Sequence, residues 1–341
     1  MGTRIAVLGT GANGSSVAAD MTRAGHDVTL IDQWPAHVEA MRAGGLRIQM
    51  PDEEINVAVT AHHLCDVATF THCFDMVFVV VKAYDTRWIT ELIAPYVAGD
   101  GLVIGLQNGM TVDDIVAAVG ISRTIGCVVE LSSEIFTPGL VKRNTPPDHT
   151  WFGLGSLDPS TAGREAEVAA VLGAAGRVAI QPNIVSAKWM KLIVNAMTMG
   201  PRALSGLGAV DAMELPGMRD IALRAGEEAL AAGQAQGFTI EPIFGLRRED
   251  VEGSNRLLEL LLDKIIADVG PHARDAVLHD HLKGRLSEVD EINGRVAEVC
   301  AANGRPAPVN AAVTEVTRRI YAGEIKPEPG NLDLVKALIE R

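Results

Sequence analysis

The chain is short of several kinds of residue, and each shortage excludes a class of protein. Only four of its 341 residues are cysteines, and no two of them have the CxxC spacing of a zinc or redox site. We therefore expect reduced thiols, no bound metal and a cytoplasmic location. No apolar run approaches the ~18 residues that a membrane span needs. The N-terminus enters its first apolar segment directly, which predicts no signal peptide.

Basic residues are also scarce relative to acidic ones. There are 30 lysines and arginines against 43 aspartates and glutamates, which gives a net charge of −13. This balance argues against nucleic acid and against anionic membranes as partners. An anionic substrate would also be repelled at long range, so a site for one needs local basic groups. The length favours two domains, and 48% hydrophobic residues suffice for their cores.

The most informative segment is residues 5–32. An apolar strand runs into a glycine-rich turn, a helix follows, and a second strand ends at an aspartate. Gly9 permits the tight turn, Gly11 leaves room for a pyrophosphate, and Gly14 lets the helix pack closely on the strand. The phosphates would lie at the helix N-terminus, where unpaired N–H groups favour negative charge. The predicted cofactor-binding residues of this segment are Gly9, Gly11, Ala12, Asn13, Gly14 and Asp32.

The aspartate at the end of the second strand bears on the choice of cofactor. A carboxylate at Asp32 can accept hydrogen bonds from both ribose hydroxyls and would repel a 2′-phosphate. We therefore expect NAD to be preferred over NADP. Arg42 or Arg47 could still fold over the site and hold a phosphate, so NADP remains the less favoured alternative.

The pattern along the chain changes near its middle. Strand-like runs such as Met76–Val81 alternate with helical ones in the first half, which predicts a doubly wound parallel sheet of the Rossmann type. Residues 135–155 look like a loop-rich antiparallel addition. Nearly all of the second half has helical periodicity, including a helix expected over Val251–Val269. We predict an α/β fold with a dinucleotide-binding domain at 1–182 and an all-helical domain at 183–341.

Two polar residues follow predicted strands of the first domain. Lys82 comes after a buried strand, and Asn108 follows the next one. Ligands of open parallel sheets bind beyond the carboxyl ends of the strands, so both side chains are candidates to line the cofactor and substrate crevice. The alternatives are a solvated lysine and a turn-forming Asn108-Gly109 pair.

Candidate catalytic residues occur in the helical half. Lys191 and Asn195 are four residues apart and share one face of an apolar helix. Burial would lower the pKa of Lys191 towards neutrality, which suits a general acid. Glu288 opens a later helix, where negative charge is favoured. A solvated helix lysine and a plain helix-start acid are the alternatives.

Together these residues resemble the ketopantoate reductase (2-dehydropantoate 2-reductase) family. The resemblance covers most of the chain, and its elements occur in the family's order. They are Gly9-x-Gly11-x-x-Gly14, Val81-Lys82-Ala83, Gln107-Asn108-Gly109, Lys191-Leu192-x-x-Asn195 and Gly284-Arg285-x-Ser287-Glu288-x-Asp290-x-Ile292-Asn293-Gly294.

The resemblance implies a role for each matching side chain. Lys191 matches a general acid that protonates the substrate carbonyl oxygen as hydride arrives from a nicotinamide. Glu288 matches an acid that binds the substrate hydroxyl and supports catalysis, and Asn195 matches a substrate-binding amide. Lys82 and Asn108 match residues that line the crevice. The resemblance also implies a homodimer.

Four features depart from the family pattern. Met199 and Ala276 stand where the family usually has an asparagine and a serine that bind substrate oxygens. The loss of two polar contacts changes substrate specificity strongly, because polar groups of the substrate that are left without hydrogen bonds weaken its binding. Asp32 replaces the basic or neutral residue of NADP-dependent members. The segment from Gly237 to Ala276 is longer than usual. In addition, Glu130 and Glu134 place negative charge near the expected mouth of the site.

These observations predict an NAD-preferring oxidoreductase that interconverts a 2-oxo acid or a related ketone with its secondary alcohol. Ketopantoate and a less polar analogue are both candidate substrates, and the physiological direction stays open. Two other functions remain as alternatives. One is a dehydrogenase of the 3-hydroxyacid or 6-phosphogluconate type, and the other is a redox-silent regulator that binds NAD.

Overall fold

The structure, a computed structural model, describes residues 2–269 and 273–340. The chain divides into two compact units, Met1–Ala187 and Lys188–Arg341. The strands of the first unit are β1 (Arg4–Leu8), β2 (Asp27–Asp32), β3 (Leu46–Gln49), β4 (Glu54–Val57), β5 (Thr60–His63), β6 (Phe74–Val79), β7 (Val97–Leu106), β8 (Thr124–Glu130), β9 (Ser133–Thr137), β10 (Leu140–Arg143), β11 (Trp151–Ser156) and β12 (Arg177–Ile180). Its helices are α1 (Ala12–Arg23), α2 (Pro35–Gly44), α3 (Thr86–Ile93), α4 (Val112–Val119) and α5 (Glu165–Leu172).

The first unit is built on an eight-stranded sheet with the order β12-β11-β8-β7-β6-β1-β2-β5. In the order of the sheet, all neighbouring strands between β5 at one edge and β8 pair in parallel, which includes β2, β1, β6 and β7. The next strand, β11, runs antiparallel to β8. The strand order reverses at β1, because β2 lies on one side of it and β6 on the other. Such a reversal opens a crevice beyond the carboxyl end of the strand. The predicted doubly wound sheet is confirmed.

Both faces of this sheet are covered. Along β1, Ile5 and Val7 belong to a core on one face, whereas Ala6 and Leu8 belong to a second core on the other. Successive side chains of a strand point to opposite faces, so a strand that is covered on both sides needs an unbroken apolar run. The first core includes residues of α1, α2 and α5, and the second includes residues of α3 and α4.

A smaller sheet with the order β4-β3-β10-β9 flanks the first one. Its antiparallel β9–β10 pair overlaps the addition expected over 135–155 but begins at Ser133, and β3 and β4 were not predicted. The buried Arg143 at the end of β10 forms an ion pair with Asp20 of α1. It also donates to the backbone oxygens of Thr145 and Ala175, at 2.7 and 2.9 Å. Burial raises the pKa of Asp20, against the opposing effect of Arg143.

The described residues of the second unit form helices and loops without a strand, which confirms the predicted all-helical region. No helix within 2–269 and 273–340 is long and apolar enough to cross a membrane. The helix expected over Val251–Val269 is broken, because Gly253 adopts a φ of 70°. The elements are α6 (Ile184–Ala203, which begins in the first unit), α7 (Ala209–Met213), α8 (Met218–Ala235), α9 (Arg248–Val251), α10 (Leu257–Val269), α11 (Ala276–Lys283), a π-helical turn (Asp290–Gly294), α12 (Arg295–Ala302), α13 (Pro308–Tyr321) and α14 (Asn331–Ile339).

A buried ion pair joins α6 to α11. The Nε of Arg202 donates to Asp275 Oδ2 at 2.8 Å and its Nη2 donates to Oδ1 at 2.5 Å. The two side chains are only 2% and 14% exposed. Asp275 immediately precedes α11, where a negative charge also suits the helix dipole. The pair therefore fixes the start of α11 against the end of α6.

We expect Asp275→Asn to lower the free energy of unfolding by about 3–5 kcal/mol, because it leaves a buried guanidinium without its counter-charge. The matched control is Asp263→Asn, which removes the partner of the exposed Arg219. That substitution should cost at most about 1 kcal/mol. Urea unfolding of the three proteins measures both values, and equal small losses would contradict a strongly stabilising buried pair.

Partial burial also affects a histidine of α11, His281. Neither ring nitrogen of His281 has a hydrogen-bond partner among the residues that the structure describes. Burial lowers the pKa of His281 from 6.5 to about 4. The folded chain therefore keeps this ring neutral at pH values where the unfolded chain protonates it. The folded state must lose stability as the pH falls from about 6.5 towards 4.

We expect His281→Leu to remove this part of the pH dependence. Between about pH 7.5 and pH 5 the natural protein should lose roughly 2 kcal/mol more unfolding free energy than the variant. Near pH 7.5 the two should be within about 1 kcal/mol, since leucine gives up no hydrogen bond. Urea unfolding at both pH values measures the difference, and parallel losses in the two proteins would contradict it.

Candidate active site

Two glycines of the β1–α1 loop are required by close backbone approach. Gly9 has a φ of 84°, and a Cβ there would lie 2.6 Å from Val81 Cγ1. A Cβ on Gly14 would lie 2.1 Å from the carbonyl oxygen of Gly9. Any side chain at either position would therefore force the loop away from the neighbouring chain.

Gly11 differs from these two because open space surrounds it. No heavy atom lies within 4 Å of where its Cβ would be. It stands at the N-cap of α1 and supplies no side-chain cap for the first N–H groups of the helix. Asn13 in the first turn accepts a hydrogen bond from Ser133 Oγ at 2.6 Å. A helix N-terminus with free space before it fits the pyrophosphate of a dinucleotide.

Asp32 lies at the end of β2, and its carboxylate is held in place by the same loop. Oδ2 accepts a hydrogen bond from Thr10 Oγ1 at 3.2 Å, and Oδ1 accepts one from the backbone N–H of Trp34 at 2.7 Å. The side chain is buried. Each oxygen can still accept another hydrogen bond, so the carboxylate fits a ribose diol.

The two arginines named as alternative ligands of a 2′-phosphate form ion pairs elsewhere. Arg42 forms ion pairs with Glu39 and Asp66, at 3.0 and 2.7 Å. Arg47 pairs with Glu54 at 2.5 Å. Either guanidinium would have to leave acidic partners before it could bind a phosphate.

His37 of α2, which was not predicted from the sequence, supports the glycine loop. Its Nδ1 accepts the N–H of Gly139 at 2.9 Å, so Nε2 carries the proton and donates to the Thr10 carbonyl at 2.8 Å. Ser15 Oγ donates to the same carbonyl at 2.6 Å. Burial lowers the pKa of His37, against the opposing effect of Asp32. A neutral ring therefore fixes the loop backbone beside the carboxylate.

Lys82 and Asn108 lie beyond the carboxyl ends of β6 and β7, which are neighbours in the sheet next to β1. Both side chains are partly exposed. Gln107 joins the two segments, because its Nε2 donates to the Val81 carbonyl at 2.7 Å and to Thr86 Oγ1 at 2.8 Å. The structure therefore places both candidates on the edge that carries the glycine loop.

The two acidic residues near the expected mouth have different positions. Glu130 ends β8, and Glu134 lies in β9. Glu134 is 16% exposed and its Oε1 lies 3.4 Å from Lys142 Nζ. Glu134 is thus part of the smaller sheet rather than a solvated loop acid.

In the second unit, α6 carries Lys191 and Asn195 at positions that share one helix face. Lys191 is 8% exposed and Asn195 is 1% exposed. The flanking residues Leu192, Ile193 and Val194 are also buried. The alternative of a solvated lysine on this helix is therefore wrong. A buried ammonium of this kind can donate a proton in a site closed to water.

An aromatic ring from the long segment 237–276 lies against this lysine. The Nζ of Lys191 is 4.8 Å from the ring centroid of Phe244. That distance is within the range of a cation–π interaction. The sequence singled out the segment as unusually long but did not predict the contact.

Met199 and Ala276, the two apolar departures, lie close to a small apolar cluster. Met199 packs against the cluster of Ala203, Val277 and Leu278. Ala276 begins α11 beside that cluster. The sequence also missed Arg202, whose buried pair with Asp275 lies at the same end of α6.

Glu288 and Asn293 belong to the segment that leads into α12. Glu288 is 5% exposed, and the π-helical turn that holds Asn293 follows it. Such turns are frequent at functional sites. The Nδ2 of Asn293 donates to the Ala196 carbonyl at 3.1 Å and to Asn310 Oδ1 at 2.8 Å. Asn293 therefore anchors the turn to α6, whereas Glu288 remains a candidate to bind substrate.

Family models match both units of the chain. The one described as "Ketopantoate reductase PanE/ApbA" covers residues 5–156, and its C-terminal counterpart covers residues 183–321. A 2-dehydropantoate 2-reductase of Mesorhizobium japonicum is 29% identical over 311 residues, which is 84% of this chain and 88% of the relative.

Solved structures agree with this result. A PanE/ApbA family ketopantoate reductase from Ralstonia eutropha JMP134 has 26% identity and a TM-score of 0.79, over 94% of this chain and 99% of the other. A D-mandelate dehydrogenase, solved with NADH and anilino(oxo)acetate, shares the fold at 18% identity and a TM-score of 0.81, over the same shares. The chain therefore belongs to the ketopantoate reductase family of nicotinamide-dependent oxidoreductases.

Proposed function

We propose that this protein is an NAD-preferring oxidoreductase that interconverts a 2-oxo acid, or a related ketone, with its secondary alcohol. The buried ammonium of Lys191 is the observation that carries the proposal. Burying a charged side chain costs free energy, so a buried lysine is expected where its charge has a function. Carbonyl reduction requires a proton donor, which a buried ammonium can provide. The glycine loop and Asp32 supply the cofactor-binding half of the same reaction.

The chemistry divides between the cofactor and the protein. A bound nicotinamide supplies hydride to the carbonyl carbon. Lys191 holds a proton on Nζ and gives it to the carbonyl oxygen, where negative charge develops. Asn195, on the same helix face, is placed to orient the substrate, and we assign Glu288 to the substrate hydroxyl by resemblance. In the oxidative direction Lys191 accepts the proton.

The preference for NAD follows from two contributions. The buried carboxylate of Asp32 favours a ribose diol and repels a 2′-phosphate. The ion pairs of Arg42 and Arg47 oppose a phosphate site built from either guanidinium. NADP remains the less favoured cofactor.

The apolar side chains at 199 and 276 support a substrate less polar than ketopantoate. A site with fewer polar groups gives up fewer hydrogen bonds when the substrate lacks a hydroxyl. Ketopantoate itself is the alternative, and the favoured direction of the reaction depends on the substrate. The homodimer and the cytoplasmic location stay predictions.

We expect Lys191→Ala to lower kcat/KM for 2-oxo acid reduction by about 10²–10⁴-fold, because the reaction loses its proton donor. Initial rates of NADH oxidation with ketopantoate and with less polar 2-oxo acids provide the measurement, and the reverse reaction uses their alcohols. Lys336→Ala, at a half-exposed lysine of the same unit, is the control and should keep the natural rate. Full activity in Lys191→Ala would rule out the assigned acid.

We expect Asp32→Asn to lower the ratio of kcat/KM with NADH to kcat/KM with NADPH by about 10- to 100-fold. The substitution weakens hydrogen bonds to the ribose and removes the repulsion of a 2′-phosphate. Asp27→Asn, at the exposed start of the same strand, should leave the ratio unchanged. A natural protein that already favours NADPH strongly would refute the role assigned to Asp32.

A further inference from the structure

The segment that follows α8 contains an unusual turn at Ile243-Phe244-Gly245-Leu246. The Leu246 N–H donates to the Ile243 carbonyl at 3.1 Å, which closes the turn. Its two central residues, Phe244 and Gly245, have φ values of 60° and 72°. Two positive φ values are typical of a type I′ turn, which favours asparagine, aspartate or glycine. Phenylalanine is a poor choice for this backbone.

Phe244 is also the only non-glycine residue with a positive φ among those that the structure describes. A left-handed conformation costs such a residue about 1–2 kcal/mol. Strained residues of this kind persist where their surroundings hold them, and they concentrate at functional sites. The side chain at this position therefore calls for a reason beyond the turn itself.

Two residues of the turn are buried, whereas Gly245 is exposed. Ile243 and Phe244 are 1% and 4% exposed. Turns are usually polar and exposed, because their backbone groups need water or other partners. Gly245 keeps that exposure here, but the Phe244 side chain points into the unit, where its ring meets the ammonium of Lys191.

Contacts on either side of the turn restrain the segment. Phe238 packs on Trp189 of α6 with the ring centroids 5.2 Å apart. The buried Glu241 accepts hydrogen bonds from Thr239 Oγ1 at 2.8 Å and from Arg248 Nη2 at 2.9 Å. The first contact attaches the segment to α6, and the bond between Glu241 and Arg248 joins the residues before the turn to those after it.

We propose that Phe244 is a positioning residue, whose ring holds the ammonium of Lys191 where it protonates the substrate carbonyl oxygen. The proposal rests on the proposed function of Lys191. The electron-rich ring face attracts the charged amine and fixes its location in surroundings with little water. The ring also forms an apolar wall beside the amine, so the substrate group next to the carbonyl meets hydrocarbon there.

The test compares variants that keep or lose the aromatic face. Phe244→Leu keeps an apolar side chain but removes the ring, whereas Phe244→Tyr keeps the ring. We expect kcat for 2-oxo acid reduction to fall about 3- to 30-fold in Phe244→Leu, with KM changed less than threefold. Phe244→Tyr should stay within about threefold of the natural enzyme. The solvent deuterium isotope effect on kcat should increase in Phe244→Leu alone, because proton transfer from a displaced donor is slower.

Tyr321→Leu is the control, since it removes an exposed aromatic ring of the same unit. It should keep kcat and the isotope effect. Unfolding midpoints of all variants separate lost activity from lost folding. An unchanged kcat in both Phe244→Leu and Phe244→Tyr, or an equal fall of kcat in both, would overturn the positioning role while the proposed function stands. If the natural enzyme reduces no 2-oxo acid, both are overturned.

Discussion

The arrangement of the helical unit depends on the need to bury charge along α6. Lys191 and Arg202 lie on one face of a helix whose residues are almost all buried. An ion removed from water must find compensating partners, because its desolvation otherwise costs several kcal/mol. Asp275 provides them for Arg202, and the Phe244 ring provides part of the compensation for Lys191. The contact with Arg202 therefore sets the position of the start of α11, and the contact with Lys191 helps to set that of the segment after α8.

The hydrogen bonding of α6 is also affected by a proline within the helix. Pro201 has no N–H to donate, so one backbone bond of the helix is missing at its C-terminal end. Asn293 adds a side-chain bond to the Ala196 carbonyl nearby. A Cβ on Gly200 would lie 2.5 Å from Asn293 Oδ1, so the glycine makes this close approach possible. The Asn293-Gly294 element thus has a physical role in holding α6, quite apart from any contact with substrate.

What the sequence could and could not predict follows from the range of the interactions. The spacing of Gly9, Gly14 and Asp32 was enough to predict the tight loop and its close packing, whereas the role of Asp32 in cofactor choice stays a prediction. Apolar runs predicted strands of the large sheet such as β6, but not β5, whose sequence has no apolar run. The short strands β3 and β4, the break at Gly253 and the contact of Phe244 with Lys191 depend on tertiary packing. Arg202 looks like an ordinary basic residue at a helix end until its distant partner Asp275 is known.

At Phe244, backbone strain is offset by the packing of the ring. Asparagine or glycine would relieve about 1–2 kcal/mol of backbone strain. Either would also give up the burial of the ring, about 1.5–3 kcal/mol, and its attraction to the ammonium, about 0.5–2 kcal/mol. The phenylalanine is therefore favourable in the folded chain only because the ring reaches its buried place beside Lys191. The backbone strain at Phe244 and the contact of its ring with Lys191 therefore depend on each other. A segment of different length would have to contact the buried amine through another residue.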